Sequence, residues 1–284
     1  MRISEALVKG RELLASSPTA SLDAEVLLSY VLGQGRESLF LNAEEVLDEG
    51  DLKMYEVYLR RAESGEPIAH IINSKEFYGL DFFVDERVLI PRPETEHLVE
   101  KVLEYLRLNS EQKKGFNLLD VGTGSGNIPI SIVKNFSEGI GHFDALEVSD
   151  DALDVARLNA EQHGVDDDID FIQSDLLEVV DDSVYYDVIT ANLPYIGTEK
   201  NRFVSKEAEQ FEPNIALFGG EDGLVLYKKM FQQIVDKDIG FGLMLGEFGF
   251  AQGEDMRNLL SQFFDQRWRI EQDLAGIDRL FIVT

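Results

Sequence analysis

Asn192, Leu193, Pro194 and Tyr195 follow the apolar run Ile189-Thr190-Ala191, so a strand delivers a carboxamide, a proline and an aromatic ring to one turn. That set of groups suits an amide or amino nitrogen. The Asn192 side-chain oxygen and the backbone carbonyls beside it accept N–H donors, and the Tyr195 ring can cover the plane of a bound group. An ordinary strand-to-loop turn has the same composition, because Asn and Pro punctuate loops generally. Upstream, Asn117 to Ile128 reads as a buried strand that breaks into a glycine-rich turn. Asp120 and Val121 lead into Gly122, Thr123, Gly124, Ser125 and Gly126, and the apolar character continues from Ile128 to Val133 into a helix. The spacing departs from the dinucleotide fingerprint G-x-G-x-x-G, and an acid just ahead of the glycines disfavours phosphate but suits an ammonium group. Glu147 ends a second strand, ahead of a helix starting at Ser149 or Asp150. A carboxylate there takes both hydroxyls of a ribose, or serves as a helix N-terminal acid. Asp175 ends a third strand, where it could accept from an exocyclic amine or, with Ser174, cap a helix.

The elements that must position these groups follow from periodicity. Residues 1–67 show helical spacing, with Leu22, Val26, Leu27, Tyr30 and Val31, then Leu52, Tyr55 and Leu59, separated by charged residues; this predicts a small helical bundle. Ser21 is the expected cap of the segment beginning at Leu22, and Gly33 and Gly35 are the expected stops. Residues 68–93 change to short β-like runs around Gly79-Leu80-Asp81, which predicts a β-hairpin linker. From residue 94 to 284 helix and strand signals alternate, which predicts an α/β domain with a mainly parallel sheet. Strands are expected over 116–121, 142–148, 168–173, 185–191, 241–247, 267–273 and 278–284, the last two pairing antiparallel. Helices are expected over 95–108, 127–136, 150–164, 220–237 and 252–264.

A ligand with an amino-acid end, a ribose and an adenine, read by the ends of consecutive strands, matches S-adenosylmethionine. The chain resembles the class I methyltransferases, and within them the N5-glutamine methyltransferases of peptide-chain release factors. The resemblance rests on separate blocks: Glu76-Phe77-Tyr78-Gly79, Ile90-Pro91-Arg92-Pro93-Glu94-Thr95-Glu96, Asp120 to Gly126, Asn192 to Tyr195, and Phe211-Glu212-Pro213 followed by Ala216-Leu217. It implies a Rossmann-like, seven-stranded, mostly parallel sheet, with the N-terminal bundle serving substrate recognition. It also implies methyl transfer from S-adenosylmethionine to the side-chain amide of the glutamine in the Gly-Gly-Gln motif of release factors. Asn192, Leu193, Pro194 and Tyr195 would form the acceptor site; Asp120, Gly122, Thr123, Gly124, Gly126, Glu147, Asp175 and Asn192 would hold the cofactor. Arg92 and Glu212 are candidates for substrate contact or, as the favoured reading, for structural support. One departure stands out: the family's usual tetrapeptide is Asn-Pro-Pro-Tyr, and Leu193 here gives Asn-Leu-Pro-Tyr, which resembles the adenine-N6 methyltransferases of ribosomal RNA. Leucine keeps the backbone carbonyl of that position but loses proline's fixed φ, so a less preorganised acceptor site is expected. Two alternatives therefore stay open, adenine-N6 transfer to RNA and a catalytically weak cofactor-binding interaction protein.

Composition bears on that choice. With 54 acidic against 26 basic residues the formal charge is −28, a field that repels phosphate backbones. The basic pairs Arg60-Arg61, Lys113-Lys114 and Lys228-Lys229 form no run of the kind an RNA footprint needs, so a basic protein partner is expected over nucleic acid. A solvation adaptation explains the charge equally well. The chain has no cysteine, which excludes disulfides, thiolate metal sites and a cysteine nucleophile. His70, His97, His142 and His163 are scattered without a ligand motif, so no metal is expected. With no signal-peptide pattern at the start and no membrane-length apolar run, the expectation is a cytoplasmic protein without a membrane partner.

Overall fold

The computed structural model describes residues 1–136, 139–265, 267–273 and 275–284. Contacts divide the chain into two units, Met1–Ser74 and Lys75–Thr284. The first unit consists of α1 (Ile3–Leu13), α2 (Ala20–Leu32), α3 (Arg36–Leu41), α4 (Glu49–Glu63) and α5 (Ile68–Ile72). Leu27, Leu28, Leu39, Tyr55, Leu59 and Ile71 make its core. Helix α2 stops at Gly33, whose φ of 62° is the left-handed conformation that glycine adopts freely. The helix starts before the expected cap: Thr19 is the N-terminal boundary residue and Ser21 lies inside the first turn. The carboxylate of Asp23 draws the Ser17 and Thr19 hydroxyls to itself, which closes that turn two residues earlier. Residues 68–72 form α5 and not the start of the hairpin. Their isoleucines resemble a strand in isolation, but 68, 71 and 72 lie on one helical face against the bundle core.

The second unit opens with a two-stranded hairpin, β1 (Lys75–Phe77) and β2 (Leu80–Phe82), paired antiparallel. There follow α6 (Glu96–Asn109), β3 (Phe116–Val121), α7 (Asn127–Asn135), β4 (Ile140–Glu147), α8 (Asp150–His163), β5 (Asp170–Gln173) and β6 (Tyr185–Ala191). The chain ends with α9 (Lys206–Phe211), α10 (Asn214–Leu217), α11 (Val225–Asp236), β7 (Gly240–Glu247), α12 (Gly253–Phe263), β8 (Trp268–Gln272) and β9 (Asp278–Val283). The sheet has seven strands in the order β5, β4, β3, β6, β7, β9, β8. Its first five strands run parallel, and β9 inserts antiparallel between β7 and β8, as the closing pair predicts.

Both faces are covered, which is why the strands read as near-continuous apolar runs. Alternate residues face opposite sides. Leu118, Val188, Leu245 and Ile282 pack with α6 and α7 through Leu98, Val102, Ile130 and Val133. Leu119, Ile189, Met244 and Phe281 pack with α11 and α12 through Tyr227, Phe231, Met256 and Leu260. Helix α11 begins at Val225 and not at residue 220, because Gly220 and Gly223 hold φ of 92° and 83°. A Cβ at Gly223 would sit 2.1 Å from the Tyr195 carbonyl oxygen, so the segment before α11 is a turn packed on the loop after β6. Among the described residues, no helix is long and apolar enough to cross a membrane.

Candidate active site

Strand register brings the chemistry-bearing residues together. Chain direction through the sheet reverses between β3 and β6, the place where a parallel sheet opens a crevice at its carboxyl edge. Val121 pairs with Leu146 on one side and with Ala191 on the other, so Gly122, Glu147 and Asn192 emerge side by side. Leu146 O accepts the Gly122 and Thr123 N–H groups at 2.8 and 3.0 Å, which folds the glycine turn back over the sheet edge. Ser174 N–H then donates to Glu147 O at 2.9 Å and carries the pattern to Asp175. A cavity of about 300 Å³ lies over this edge. It is lined by Gly122, Thr123, Gly124, Glu147, Asp175, Asn192, Leu193 and Pro194, with Arg92 and Thr95 from the segment before α6.

The glycines have definite tasks. Gly122 (φ 77°) lies where a Cβ would come 2.9 Å from the Leu193 side chain, and Gly126 (φ 78°) where one would meet Ile130 at 3.0 Å and Ala156 at 3.3 Å. Gly126 is the residue before α7, so the turn opens a helix as its sequence predicts. It does not itself line the cavity. Glu147 accepts from Gly124 N–H through Oε2 at 3.0 Å, and from Val148 and Ser149 N–H through Oε1 at 2.9 and 3.1 Å. Asp175 is exposed and paired with Lys229 at 2.5 Å, an interaction of small net energy at such a position.

Asp120 is placed differently from the expectation that it meets a ligand directly. It is fully buried beneath the turn and does not line the cavity. Its Oδ1 accepts from the Thr190 hydroxyl at 2.6 Å, whereas Oδ2 and the Thr123 hydroxyl are buried without hydrogen-bond partners. Burial pushes the carboxyl up to about 6, against the Thr190 hydrogen bond, with the negative charge of Glu147 adding to the rise.

Side chains from distant elements hold the loop after β6. Asn192 Nδ2 donates to Thr95 Oγ1 at 3.1 Å, and Thr95 Oγ1 donates to Glu247 Oε2 at 2.6 Å. No described residue donates to Asn192 Oδ1. Leu193 is buried, and its N–H donates to the hydroxyl of Tyr227 at 3.2 Å. The Leu193 side chain packs over Gly122, a tertiary contact at the position where the family's usual proline is absent. Tyr195 departs from its expected role: it does not line the cavity, because its hydroxyl is drawn 3.1 Å from Glu247 Oε1. Burial and then the nearby carboxylate raise that phenol well above the usual tyrosine range. Arg92 forms an ion pair with Glu212 at 2.6 Å, and Glu212 Oε2 also accepts Ile90 N–H at 3.1 Å. Glu212 is buried behind the cavity wall, so this pair ties the segment before α6 to the one after α9.

Glu247, Tyr227 and Gln252 do not stand out in the sequence. Gln252, which is buried, holds the Tyr195 carbonyl by a 2.7 Å bond from Nε2. The one available signal was an acid, Glu247, ending an otherwise apolar and glycine-containing strand. Away from the cavity, His142 lies 2.8 Å from Asp144 and 3.4 Å from Asp170, and Asp144 also accepts from the Tyr186 hydroxyl at 2.7 Å.

The sheet order, the glycine turn at its switch point and the cavity beside Asn192 define a class I methyltransferase fold. Residues 112–218 match the family model described as a methyltransferase domain, and residues 5–72 match the PrmC N-terminal domain. The chain belongs to the release factor glutamine methyltransferase family. It is 34% identical over 268 residues to the protein so named from Koribacter versatilis, covering 94% of this chain and 92% of that one. It is likewise 34% identical to the Clostridium acetobutylicum protein of that name, covering 100% and 99%. Among solved structures, the hMettl16 catalytic domain in complex with a MAT2A 3'UTR hairpin superposes with a TM-score of 0.57 at 15% identity over 90% of each chain. The Thermus thermophilus 16S rRNA methyltransferase RsmC, in complex with AdoMet and guanosine, gives 0.50 at 14% identity over 74% of this chain and 49% of that one. At such identities the likeness is one of fold.

Proposed function

We propose that the protein transfers the methyl group of S-adenosylmethionine to the side-chain amide nitrogen of the glutamine in the Gly-Gly-Gln motif of peptide chain release factors. The observation that carries this reading is the Asn192 carboxamide, bonded through Nδ2 and left with Oδ1 available beside the cavity. The names of the full-length relatives favour glutamine over the adenine alternative. The acidic surface suits a basic protein partner better than RNA, and substrate recognition is the role proposed for the N-terminal unit.

The residues present fit the cofactor. Thr123 and Gly124 line the cavity, and the carboxyl of Asp120, buried beneath the turn, gives the site a negative field that a positively charged ligand complements. Gly122, Thr123 and Gly124 would hold the methionine portion, with Gly126 closing the turn behind them and Asp120 acting through its field; Glu147 would take the ribose and Asp175 the adenine region. When bound, S-adenosylmethionine supplies an electrophilic sulfonium methyl. A glutamine amide is a weak nucleophile because its lone pair is delocalised into the carbonyl. Asn192 Oδ1 and the Leu193 carbonyl would accept its two N–H groups, raising electron density on nitrogen as positive charge develops and fixing its approach. Pro194 holds the turn, and Tyr195 braces it from behind through Glu247. No strong base is required, since the nitrogen becomes far more acidic once methylated. Arg92 lines the same cavity and is the proposed contact for a substrate carbonyl, with Glu212 fixing it.

The test is incubation with labelled S-adenosylmethionine and, in parallel, a release factor, its Gly-Gly-Gln Gln→Ala variant and ribosomal RNA, followed by mass localisation of the methyl. Label on the glutamine nitrogen that vanishes in the variant is the expected result. Label on adenine overturns it, and label nowhere leaves a binding protein.

A further inference from the structure

We infer that Glu247, acting through Thr95, is a positioning residue that sets which end of the Asn192 carboxamide meets the acceptor nitrogen. The inference deepens the glutamine reading above and rests on it. The two ends of a carboxamide are nearly the same shape and opposite in hydrogen-bond character, so packing alone does not choose between them. An amide acceptor requires Oδ1 toward the cavity; the flipped side chain would oppose N–H to N–H.

The choice is made by a one-way chain of protons. Glu247 is 1% exposed at the end of β7, and both of its carboxyl oxygens stand as acceptors, Oε2 toward Thr95 and Oε1 toward Tyr195. Thr95, also 1% exposed, has one hydroxyl proton and gives it to Glu247 Oε2 at 2.6 Å. Its oxygen is left as an acceptor, and the group 3.1 Å away must therefore be the Asn192 NH₂. The second carboxylate oxygen takes the Tyr195 hydroxyl proton at 3.1 Å, so both donors are committed. Burial raises the Glu247 carboxyl above its usual range, opposed by the Thr95 hydrogen bond, by Arg279 and by the Tyr195 hydrogen bond, with Glu94 adding to the rise. The backbone carbonyl of Glu247 accepts from the Tyr227 hydroxyl, which itself accepts the Leu193 N–H. One strand end thus governs the carboxamide and braces the backbone of the next residue. A glutamine at 247 would break the one-way character, because its own NH₂ can donate to Thr95. The threonine proton is then free to turn to Asn192 Oδ1 and invert the amide.

The experiment compares the wild type with Glu247→Gln, Thr95→Val and Thr95→Ser. Turnover is measured on a release factor at saturating S-adenosylmethionine, with cofactor affinity by calorimetry. The Asn192 side-chain NH₂ resonances are followed after ¹⁵N-asparagine labelling and assigned by their loss in Asn192→Asp. Turnover should fall at least about tenfold in Glu247→Gln and in Thr95→Val, with cofactor affinity within about threefold. Thr95→Ser should restore most of the Thr95→Val loss, and the Asn192 resonances should move in the two defective variants but not in the serine one. The chain is overturned if both variants keep full turnover, if serine is as poor as valine, or if the resonances stay in place. If Glu247→Gln fails to fold, the valine and serine pair decides alone. If the wild type methylates no glutamine while the resonances move as stated, the relay stands and the substrate reading falls.

Discussion

The two sides of the cavity are built by different means. On the β3, β4 and β5 side, the glycine turn, Glu147 and Asp175 lie at consecutive strand ends, and backbone groups a few residues away hold them. On the β6 and β7 side, the loop from Asn192 to Tyr195 is held by Thr95, Tyr227, Glu247 and Gln252, each far from it in the chain. A site for a constant small molecule can be encoded locally. In the proposed mechanism the Asn192 loop presents one polar atom to a weak nucleophile, and the core beneath that loop holds it.

The largest effect expected of this division is a separation of chemistry from cofactor binding. Asn192→Ala should lower turnover by about 10²–10³-fold, the scale for losing one oriented polar group, with S-adenosylmethionine affinity within about threefold. Stopped turnover together with an equal loss of cofactor affinity would erase the distinction between the two sides.

The same division explains what could be read in advance. The strands, their mostly parallel order and the turn at Gly122 to Gly126 follow from apolar periodicity and glycine placement, which are properties of short segments. The placement of Asn192 and Glu147 at strand ends beside the cavity follows from the same short-range signals. Tyr195 was misplaced because nothing near it announces a buried carboxylate 52 residues later. Tyr227 looks like any apolar position of α11, and only its hydroxyl, pointing at Leu193, gives it a role. The expected start of α11 is too early because Gly223 is packed on the Tyr195 carbonyl and the Gly220 carbonyl accepts from Thr198 N–H, contacts that lie far away in the sequence. Asp120 was recognised as important, but its depth beneath the turn was not, since sequence reports an acid without its solvation.

That depth gives the next prediction, on the local side. Asp120 is shifted from 3.8 up to about 6 in the folded protein. Between those values the folded state holds more protons than the unfolded state, so stability falls as pH rises through the window and the cost is complete above about pH 6. The full cost is about 3 kcal/mol. Denaturant unfolding of Asp120→Asn and wild type should therefore show the variant gaining by about that amount from pH 4 to pH 7. A constant difference across that range would mean that Asp120 is already neutral or already solvated. The variant should also bind cofactor more weakly, which separates the stability cost from the purpose it serves.

Glu147→Ala should weaken S-adenosylmethionine by about ten- to a hundredfold, the range for losing hydrogen bonds to a charged group. Turnover at saturating cofactor should stay close to wild type. Part of the loss comes from the turn itself, because Gly124, Val148 and Ser149 lose their acceptor. Glu147→Gln tests that part: it keeps one acceptor oxygen and should recover some affinity. Unchanged calorimetric affinity in the alanine variant would remove Glu147 from the cofactor side altogether.

The smallest effect expected is also the most direct probe of Leu193. Its N–H, a donor that proline would lack, ends on the Tyr227 hydroxyl, which in turn serves the Ala191 and Glu247 carbonyls. Tyr227→Phe keeps the ring and its edge contact with Phe281, whose centroid is 5.3 Å away, so packing is preserved and only the hydroxyl is lost. Stability should drop by about 1 kcal/mol in denaturant unfolding and turnover by about threefold, with cofactor affinity unchanged. The loss removes the hydroxyl that joins the Leu193 N–H to the Glu247 carbonyl. If turnover is untouched while stability falls, the hydroxyl supports only the fold. The leucine backbone is then held by its side chain against Gly122, and the rigidity of the acceptor loop resides in packing and not in hydrogen bonding.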